Sequence, residues 1–348
     1  MILVNNQVGD DIYYHLDHAR WNDWTMADLI FPFFLFIVGA VIPFSVANRL
    51  DKGQSKRELL YHIIKRTLII VGLGLFINAF PYFSLSSLRI PGVLQRIGIC
   101  YFFASLIMLK SGIRAQALIS AGLLIFYWLI MKLVPVPGYD TVILEPGKNL
   151  AAYIDNFFMH GHMFEPTWDP EGLLSTVPAL STTLLGALTG HVLRLSKSPA
   201  GKTFLLLIYG SAGVISGLTA DVWFPINKYI WSSSYVLFTA GAAAVLLGFI
   251  YWIVDVINVR RWSKVFVMFG ANALGVYVLS TLLEKLLWEW GTTLADGSRI
   301  KMNAYLLRNI FASWSSPVNA SLIYSLTVLL IWLGLAAILY RKKIFIKI

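Results

Sequence analysis

The chain has a single cysteine, Cys100, and it lies inside an apolar run. One thiol excludes an internal disulfide framework and any thiolate metal cluster, and its setting makes it a small buried hydrophobe. Charge is equally scarce, at 13% of 348 residues, against 57% hydrophobic residues and a mean hydropathy of +0.69. A water-soluble globule of this length cannot be so apolar. Also missing are low-complexity tracts, an obvious internal repeat and a soluble domain. No cleavable signal peptide is expected, because Met1 opens directly into Met1-Ile-Leu-Val-Asn-Asn6 with no basic stretch ahead of an apolar core.

What the chain does have is a series of apolar runs long enough to cross a bilayer, which takes about 20 residues as a helix. They lie near 28–49, 63–83, 92–110, 115–134, 173–195, 203–222, 232–254, 265–286 and 318–340. The expected fold is therefore all-α, a polytopic transmembrane bundle in one domain over 1–348. It has about nine complete spans, preceded by a segment that reads like the last turns of a further helix. The net charge of +10 would suggest nucleic acid in a soluble protein, but here the basic residues sit in the short loops between spans, so no nucleic-acid partner is expected. Alternating sides from a cytoplasmic C-terminus puts 18 of the 28 Lys and Arg on the inside, among them Arg49, Lys65, Arg66, Arg260, Lys264 and Arg341 to Lys343. That bias orients the protein. The outside segments are then 1–27, 84–91, 135–172, 221–231 and 285–317. Gly186 with Gly190, and Gly241 with Ala244 and Gly248, have the spacing of close helix packing in lipid.

Polar groups at or inside a bilayer are costly, so each invites a function beside a structural role. The stretch His15-Leu-Asp17-His18-Ala-Arg-Trp21-Asn22 runs through Thr25 into a helix that starts near Asp28. A histidine there can act as a general base near neutral pH; alternatively the stretch is an interfacial loop with Trp21 and Trp24 as anchors and Asp28 near the helix start. No metal site is expected, since His15, Asp17 and His18 are crowded and lack a distant fourth ligand. Gln95 and Arg96 lie one turn into a span, where Arg96 could recognise phosphate or carboxylate, or snorkel. Asp169-Pro170-Glu171-Gly172 opens another span, with Asp169 a good N-cap and Glu171 not needed for capping. Asn227 and Lys228 precede Ser232 to Tyr235. Asn272 puts an amide within the eighth span, where an interhelical hydrogen bond would account for it. The His160-x-His162 pair is a weak metal pattern and more simply solvated, while His62 and His191 sit near inner helix ends.

Together, in this order and at these helix boundaries, the chain resembles the heparan-alpha-glucosaminide N-acetyltransferase family of the transmembrane acyltransferases, including its bacterial members. The motifs are His18-Ala-Arg-Trp21-Asn22, Thr25-Met-Ala-Asp28-Leu-Ile-Phe-Pro32, Arg89-Ile-Pro-Gly-Val-Leu-Gln95-Arg96, Asp169-Pro-Glu171-Gly172, Asn227-Lys228 before Ser234-Tyr235, Asn272, and the tail Tyr340-Arg-Lys-Lys-Ile-Phe. The resemblance implies that acetyl-CoA, supplied from the cytosol as co-substrate, donates its acetyl group to the amine of a terminal glucosamine or similar amino sugar on the far side. It further implies that His18 is the catalytic residue, as base or acetyl carrier, and that Asn5 lies beside it, where it could donate to the thioester oxygen; Asp28 belongs to the same catalytic set. Asn22, Gln95, Arg96, Glu171, Asn227, Lys228 and Asn272 are the candidates for holding the CoA or the acceptor. Phosphate or adenine contacts are expected from inside groups such as Arg260 and Lys264. A homodimer is the assembly the family suggests.

The family pattern carries a cytoplasmic start to the first core helix, with an Asp and an Arg-Gly ahead of the segment matching Met1 to Asn6, so a tenth helix is expected in the complete protein. It also carries a large luminal domain in the animal enzyme that has no counterpart here. A multi-pass protein of a bacterial cytoplasmic membrane, acting on an envelope or scavenged amino sugar, is the resulting expectation. A transporter or flippase for a sugar-bearing or acylated small molecule is the alternative from another class. Such carriers often show inverted repeats and broken midplane helices.

Overall fold

The structure, a computed structural model, describes residues 1–9, 11–293 and 297–346. A short helix, α1 (Ile2–Asn5), leads through a loop into α2 (Met26–Leu50), α3 (Lys56–Ala79), α4 (Val93–Lys110) and α5 (Ile113–Leu133). After α6 (Leu150–Met159) come α7 (Thr176–Leu193), α8 (Pro199–Asp221), α9 (Ser233–Tyr251), α10 (Ser263–Ala271), α11 (Ala273–Glu289), α12 (Met302–Leu306) and α13 (Pro317–Arg341). Among the described residues, eight helical segments are long and apolar enough to cross a membrane: α2, α3, α4, α5, α7, α8, α9 with its continuation to Val256, and α13. The protein is an all-α, multi-pass membrane bundle. The strands β1 (Gly291–Thr293) and β2 (Arg299–Lys301) form one small antiparallel pair.

The eighth predicted run, 265–286, is not one straight helix. It is α10 and α11, bent by 75° at Asn272. Hydropathy cannot register the bend, because both halves are apolar. The amide of Asn272 explains it: Nδ2 donates to Ile344 O (3.0 Å) and Oδ1 accepts from Ile346 N (2.8 Å). This side chain ties the C-terminal tail to the break, where a bond between neighbouring helices was expected.

Helix starts follow local chemistry. Thr25 and Asp28 form a reciprocal capping box at the head of α2, and Ser55 with Glu58 does the same for α3, satisfying backbone N–H groups that the first turn leaves without helical partners. That second box begins α3 at Lys56, earlier than the apolar run at 63. The span expected at 173 starts at Thr176, and Asp169 is not its N-cap; the cap position falls to Ser175.

The central seam is α2 against α7. A Cβ added to Gly39 would lie 1.9 Å from Thr183 O, and one at Gly186 would lie 2.0 Å from Phe36 O. Glycine lets the two backbones touch, and in lipid such contact supplies packing that the hydrophobic effect does not. This seam holds α2 in place, and α2 carries the polar site at one of its ends.

Segments that precede or join the spans meet one another at that end. Trp21 Nε1 donates to Leu144 O (3.0 Å), Ile90 N donates to His162 O (3.0 Å), and Tyr82 OH bonds to Glu289. The stretches read as lying on one side of the membrane therefore do share a face of the molecule.

Candidate active site

Asp28 is the third residue of α2, and the capping box fixes one of its two oxygens. Oδ2 accepts from Thr25 N (3.0 Å) and Ala19 N (3.1 Å). The other oxygen faces two donors: His18 Nδ1 at 2.7 Å and Lys228 Nζ at 3.1 Å. The carboxylate side chain is 1% exposed, against 38% for His18. A carboxylate only accepts, so its bond to Nδ1 selects the tautomer with the proton on Nδ1 and leaves the lone pair on Nε2.

Lys228 Nζ also lies 2.9 Å from His18 Nδ1. When Nδ1 carries its proton, both nitrogens are donors sharing Oδ1. Burial pulls the Lys228 ammonium below the ordinary lysine range, and the charge and hydrogen bond of Asp28 oppose that pull. The loop presenting Lys228 is built by its neighbour. Asn227 is fully buried; its Oδ1 accepts from Ile230 N (3.1 Å), its backbone N donates to Ser232 Oγ (3.0 Å), and its Nδ2 donates to Asn22 Oδ1 (3.1 Å). Asn22 and Asn227 thus clamp the His18 loop to the Lys228 loop across some two hundred positions of sequence. Two tyrosines complete the frame. Tyr229 OH donates to Ala19 O (2.8 Å) while its ring stacks on Trp21, and Tyr235 OH donates to Asp28 O (2.5 Å). Burial, with Asp28 and Asp17 adding, pushes the Tyr229 phenol up to about 12, so it stays a donor.

A cavity of about 150 Å³ opens beside this cluster, lined by Asn5, His18, Glu171, Lys228 and Tyr277, with Phe31 among its apolar walls. With Nδ1 engaged, Nε2 is the histidine nitrogen available to a molecule in it. Glu171 is positioned by Arg89, whose Nη2 contacts Glu171 Oε2 at 2.5 Å and whose guanidinium makes a two-pronged bond to Asp169, Nε to Oδ2 (2.8 Å) and Nη2 to Oδ1 (2.7 Å). Desolvation works against the Arg89 cation, but the hydrogen bonds and charges of Asp169 and Glu171 outweigh it and raise its pKa above the ordinary value.

Four of the candidate residues, Asn5, His18, Glu171 and Lys228, therefore line one cavity with Asp28 directly behind, and Asn22 and Asn227 support them. The others lie elsewhere. Arg96 is buried under Trp231 (4.9 Å from the ring centroid) and donates to Ser175 Oγ and to Gly172 O (3.3 Å), so it anchors the turn that carries Glu171. Gln95 donates to Ile90 O (3.1 Å). Asn272 serves the tail. Sequence reasoning passed over Arg89 as an acid-pairing group, and also Tyr229, Tyr235 and Tyr277. Arg89 and Tyr235 stood within quoted motifs without a role of their own, and nothing around Tyr229 or Tyr277 gave a sign of which would face the site.

A second cavity, about 570 Å³, lies along the same helices toward the other end of α2. From α2 it takes Phe34, Val38, Ser45 and Arg49, from α3 His62 and Arg66, and from α11 Ala273 and Leu274. Phe31 in the first cavity and Arg49 in the second are 18 residues apart, about 27 Å at the rise of an α-helix. Arg49 Nη2 contacts His62 Nε2 at 2.7 Å, and Arg66 Nε has no hydrogen-bond partner among the described residues. Next to it, a hollow of about 810 Å³ is lined by Arg260, Lys264, Arg341 and Lys343.

A family model described as a domain of unknown function (DUF5009) matches residues 15–117, the stretch holding His18, Asp28 and Arg89. The chain is 30% identical over 408 aligned residues to the mouse protein named heparan-alpha-glucosaminide N-acetyltransferase, an alignment covering 100% of this chain and 58% of the mouse protein. It is 32% identical over 295 residues to the human protein of the same name, covering 68% of this chain and 44% of that one. The chain is thus similar along its whole length to a protein named heparan-alpha-glucosaminide N-acetyltransferase. It spans about half the length of these two relatives. This similarity accounts for the order of the motifs, and the convergence of His18, Asp28 and Lys228 gives that order a physical meaning.

Proposed function

We propose that the chain is a membrane N-acetyltransferase that moves the acetyl group of acetyl-CoA to the amine of a terminal glucosamine or similar amino sugar. The observation that carries this reading is His18, with Nδ1 held by the buried Asp28 carboxylate and its other nitrogen left to a cavity shared with Asn5, Glu171 and Lys228. In the direct reaction Nε2 takes a proton from the acceptor's ammonium, the freed amine nitrogen attacks the thioester carbonyl, the C–N bond forms, the C–S bond breaks, and CoA leaves as the thiol with the second nitrogen proton. In the alternative, Nε2 itself attacks the thioester carbonyl and expels CoA as thiolate to give an acetyl-imidazole; the amine then attacks this carbonyl, the C–Nε2 bond breaks, and the proton the amine loses goes to the released thiolate. Asn5 Nδ2 would donate to the thioester oxygen as charge grows there, a contribution worth about 3 kcal/mol for such donors. Glu171 would attract the acceptor's ammonium to the cavity.

The acyl donor would approach from the opposite end. Two stacked cavities between α2, α4 and α11, with Arg49, Arg66, Arg260 and Lys264 at the far end, suit a molecule with a polyanionic head and a thin thioester-bearing arm. This supports acetyl-CoA entering at the basic end, which the reading takes as the cytosolic one with the C-terminus on that side, and the acceptor at the other. The bent α10–α11 pair favours the second reading, a carrier, because broken spans are common at transport sites.

Purified protein should release CoA from acetyl-CoA only when glucosamine is present, and His18→Ala should abolish that release. Counterflow of labelled amino sugar without acetyl-CoA, with no CoA release by wild type, would favour the carrier and remove the enzyme.

A further inference from the structure

A third large cavity has no connection with the acetyl-transfer reading. It measures about 530 Å³ and lies between α5, α7, α8 and α9, with Phe36 of α2 as its floor. Its walls are almost wholly apolar, Leu188, Leu206, Leu237 and Ala240 among them. Two of the few polar groups are already served, since Thr189 Oγ1 donates to Leu185 O (3.0 Å) and His191 Nε2 pairs with Gln116 Oε1 at 3.2 Å, and a third, Tyr209, stands at the exposed rim. Nothing in the wall asks for a polar ligand. Apolar cavities hold no ordered water.

The cavity is open at one side. Ile113, Leu195 and Tyr209 line it and are 52%, 41% and 61% exposed. In a membrane protein the medium against that opening is the bilayer. Its lower lip is charged: Ile113 is followed by Arg114 and Leu195 is preceded by Arg194, Lys197 lies in the α7–α8 connection, and Lys110 and Lys202 lie at the end of α4 and the start of α8. There is no acid between 110 and 114 or between 194 and 202. The Ser198 N-cap of the 23-residue helix α8 stands in the middle of this group, adding the positive end of a helix dipole.

We propose that this is a binding site for one anionic phospholipid, with an acyl chain in the cavity and the phosphate against Arg114, Arg194, Lys197 and the start of α8. A second copy of the chain is disfavoured as the occupant. In a two-fold dimer about the membrane normal, the same patch faces itself, and five cations would meet five. A phospholipid supplies both the hydrocarbon and the opposite charge.

Native mass spectrometry of the purified protein exposed to phosphatidylglycerol or to phosphatidylcholine of the same chains tests this. Wild type should retain one phosphatidylglycerol at least fivefold more than phosphatidylcholine. The exposed double change Arg194→Gln with Lys197→Gln should remove that preference, while Lys148→Gln, an exposed lysine at the other end, should leave it intact. Ala117→Phe, which fills the mouth, should lower retention of both lipids. Equal retention of the two lipids by wild type, or unchanged retention in both the double and the Ala117 variants, would overturn the proposal. So would a cysteine placed at Tyr209 that cross-links two chains in membranes.

Discussion

The two ends of the bundle treat charge in opposite ways. At the His18 end, acids and bases are paired by side chains that leave little freedom: Asp28 with His18 and Lys228, and Arg89 with Asp169 and Glu171. At the other end cations gather with few acids, and they contact neutral partners such as His62, Gln54 and the Tyr101 ring, with Arg66 Nε making no hydrogen bond among the described residues. A buried, mutually satisfied cluster is held in one geometry, which proton transfer requires. An acid-poor basic rim suits mobile anions arriving from outside the protein, be they nucleotide phosphates or lipid headgroups. The first end has the make-up of a reaction site and the second that of a docking surface.

Asp28→Asn breaks the first end most sharply. The two backbone N–H groups at Oδ2 would keep the amide oxygen on their side, which turns the NH₂ toward His18 and Lys228. Nδ1 must then accept, the proton moves to Nε2, and the nitrogen facing the cavity loses its lone pair. Acceptor-dependent CoA release should fall by about 10³- to 10⁴-fold, as expected for a histidine forced into the wrong tautomer. The KM for acetyl-CoA should change little. A parallel rise in KM would mean that Asp28 shapes the donor site and does not orient the base.

Much of this contrast was already legible in the chain. The basic bias of alternate loops separated the two ends, and apolar runs located the eight unbroken spans because each is near the length of about 20 residues that a crossing takes. The histidine and its aspartate sit ten residues apart at the mouth of one helix, close enough for local reading. Lys228 was flagged only as polar before a span; its bond to Asp28 depends on two asparagines locking remote loops together, and no periodicity encodes that. Arg89 and Arg96 show the same limit. Both belong to one motif, and only packing decides that the loop arginine meets the carboxylates while the helical one turns under Trp231. The break at Asn272 was hidden because its cause lies some seventy residues away, in the tail.

Asp155, on α6 behind the Glu171 turn, offers a smaller effect at the first end. Burial, reinforced by the Asp169 charge, raises its pKa to about 6, against the opposing pull of the Leu173 N–H and Arg96. The folded state therefore binds a proton more readily than the unfolded state between the ordinary aspartate range and about pH 6. Stability should fall as pH rises across that window and level off above it. Asp155→Asn keeps an oxygen for Leu173 N and removes the titration. Thermal unfolding measured from pH 4 to pH 7 should show a declining midpoint in wild type and a flatter one in the variant. A wild-type midpoint that rises across the window would reverse the sign and refute the assignment.

The smallest effect belongs to the docking end, and it separates docking from chemistry. Arg260 is exposed, and its guanidinium is hydrogen-bonded to Asn258 Oδ1 and Val254 O with Asp255 3.8 Å away, so losing its charge should leave the fold intact. If it meets a phosphate of the acyl donor through solvent-exposed contact, Arg260→Gln removes about 1 kcal/mol of binding. That corresponds to a KM for acetyl-CoA raised about fivefold with kcat unchanged, because an interaction made equally in ground and transition states shows only in KM. The rise should shrink as salt is added, since screening already weakens the same contact in wild type. A fall in kcat would instead place Arg260 within reach of the reacting atoms, at odds with the length of α2 that separates the two ends, and an unchanged KM would leave Arg49 and Arg66 as the cations that receive the donor.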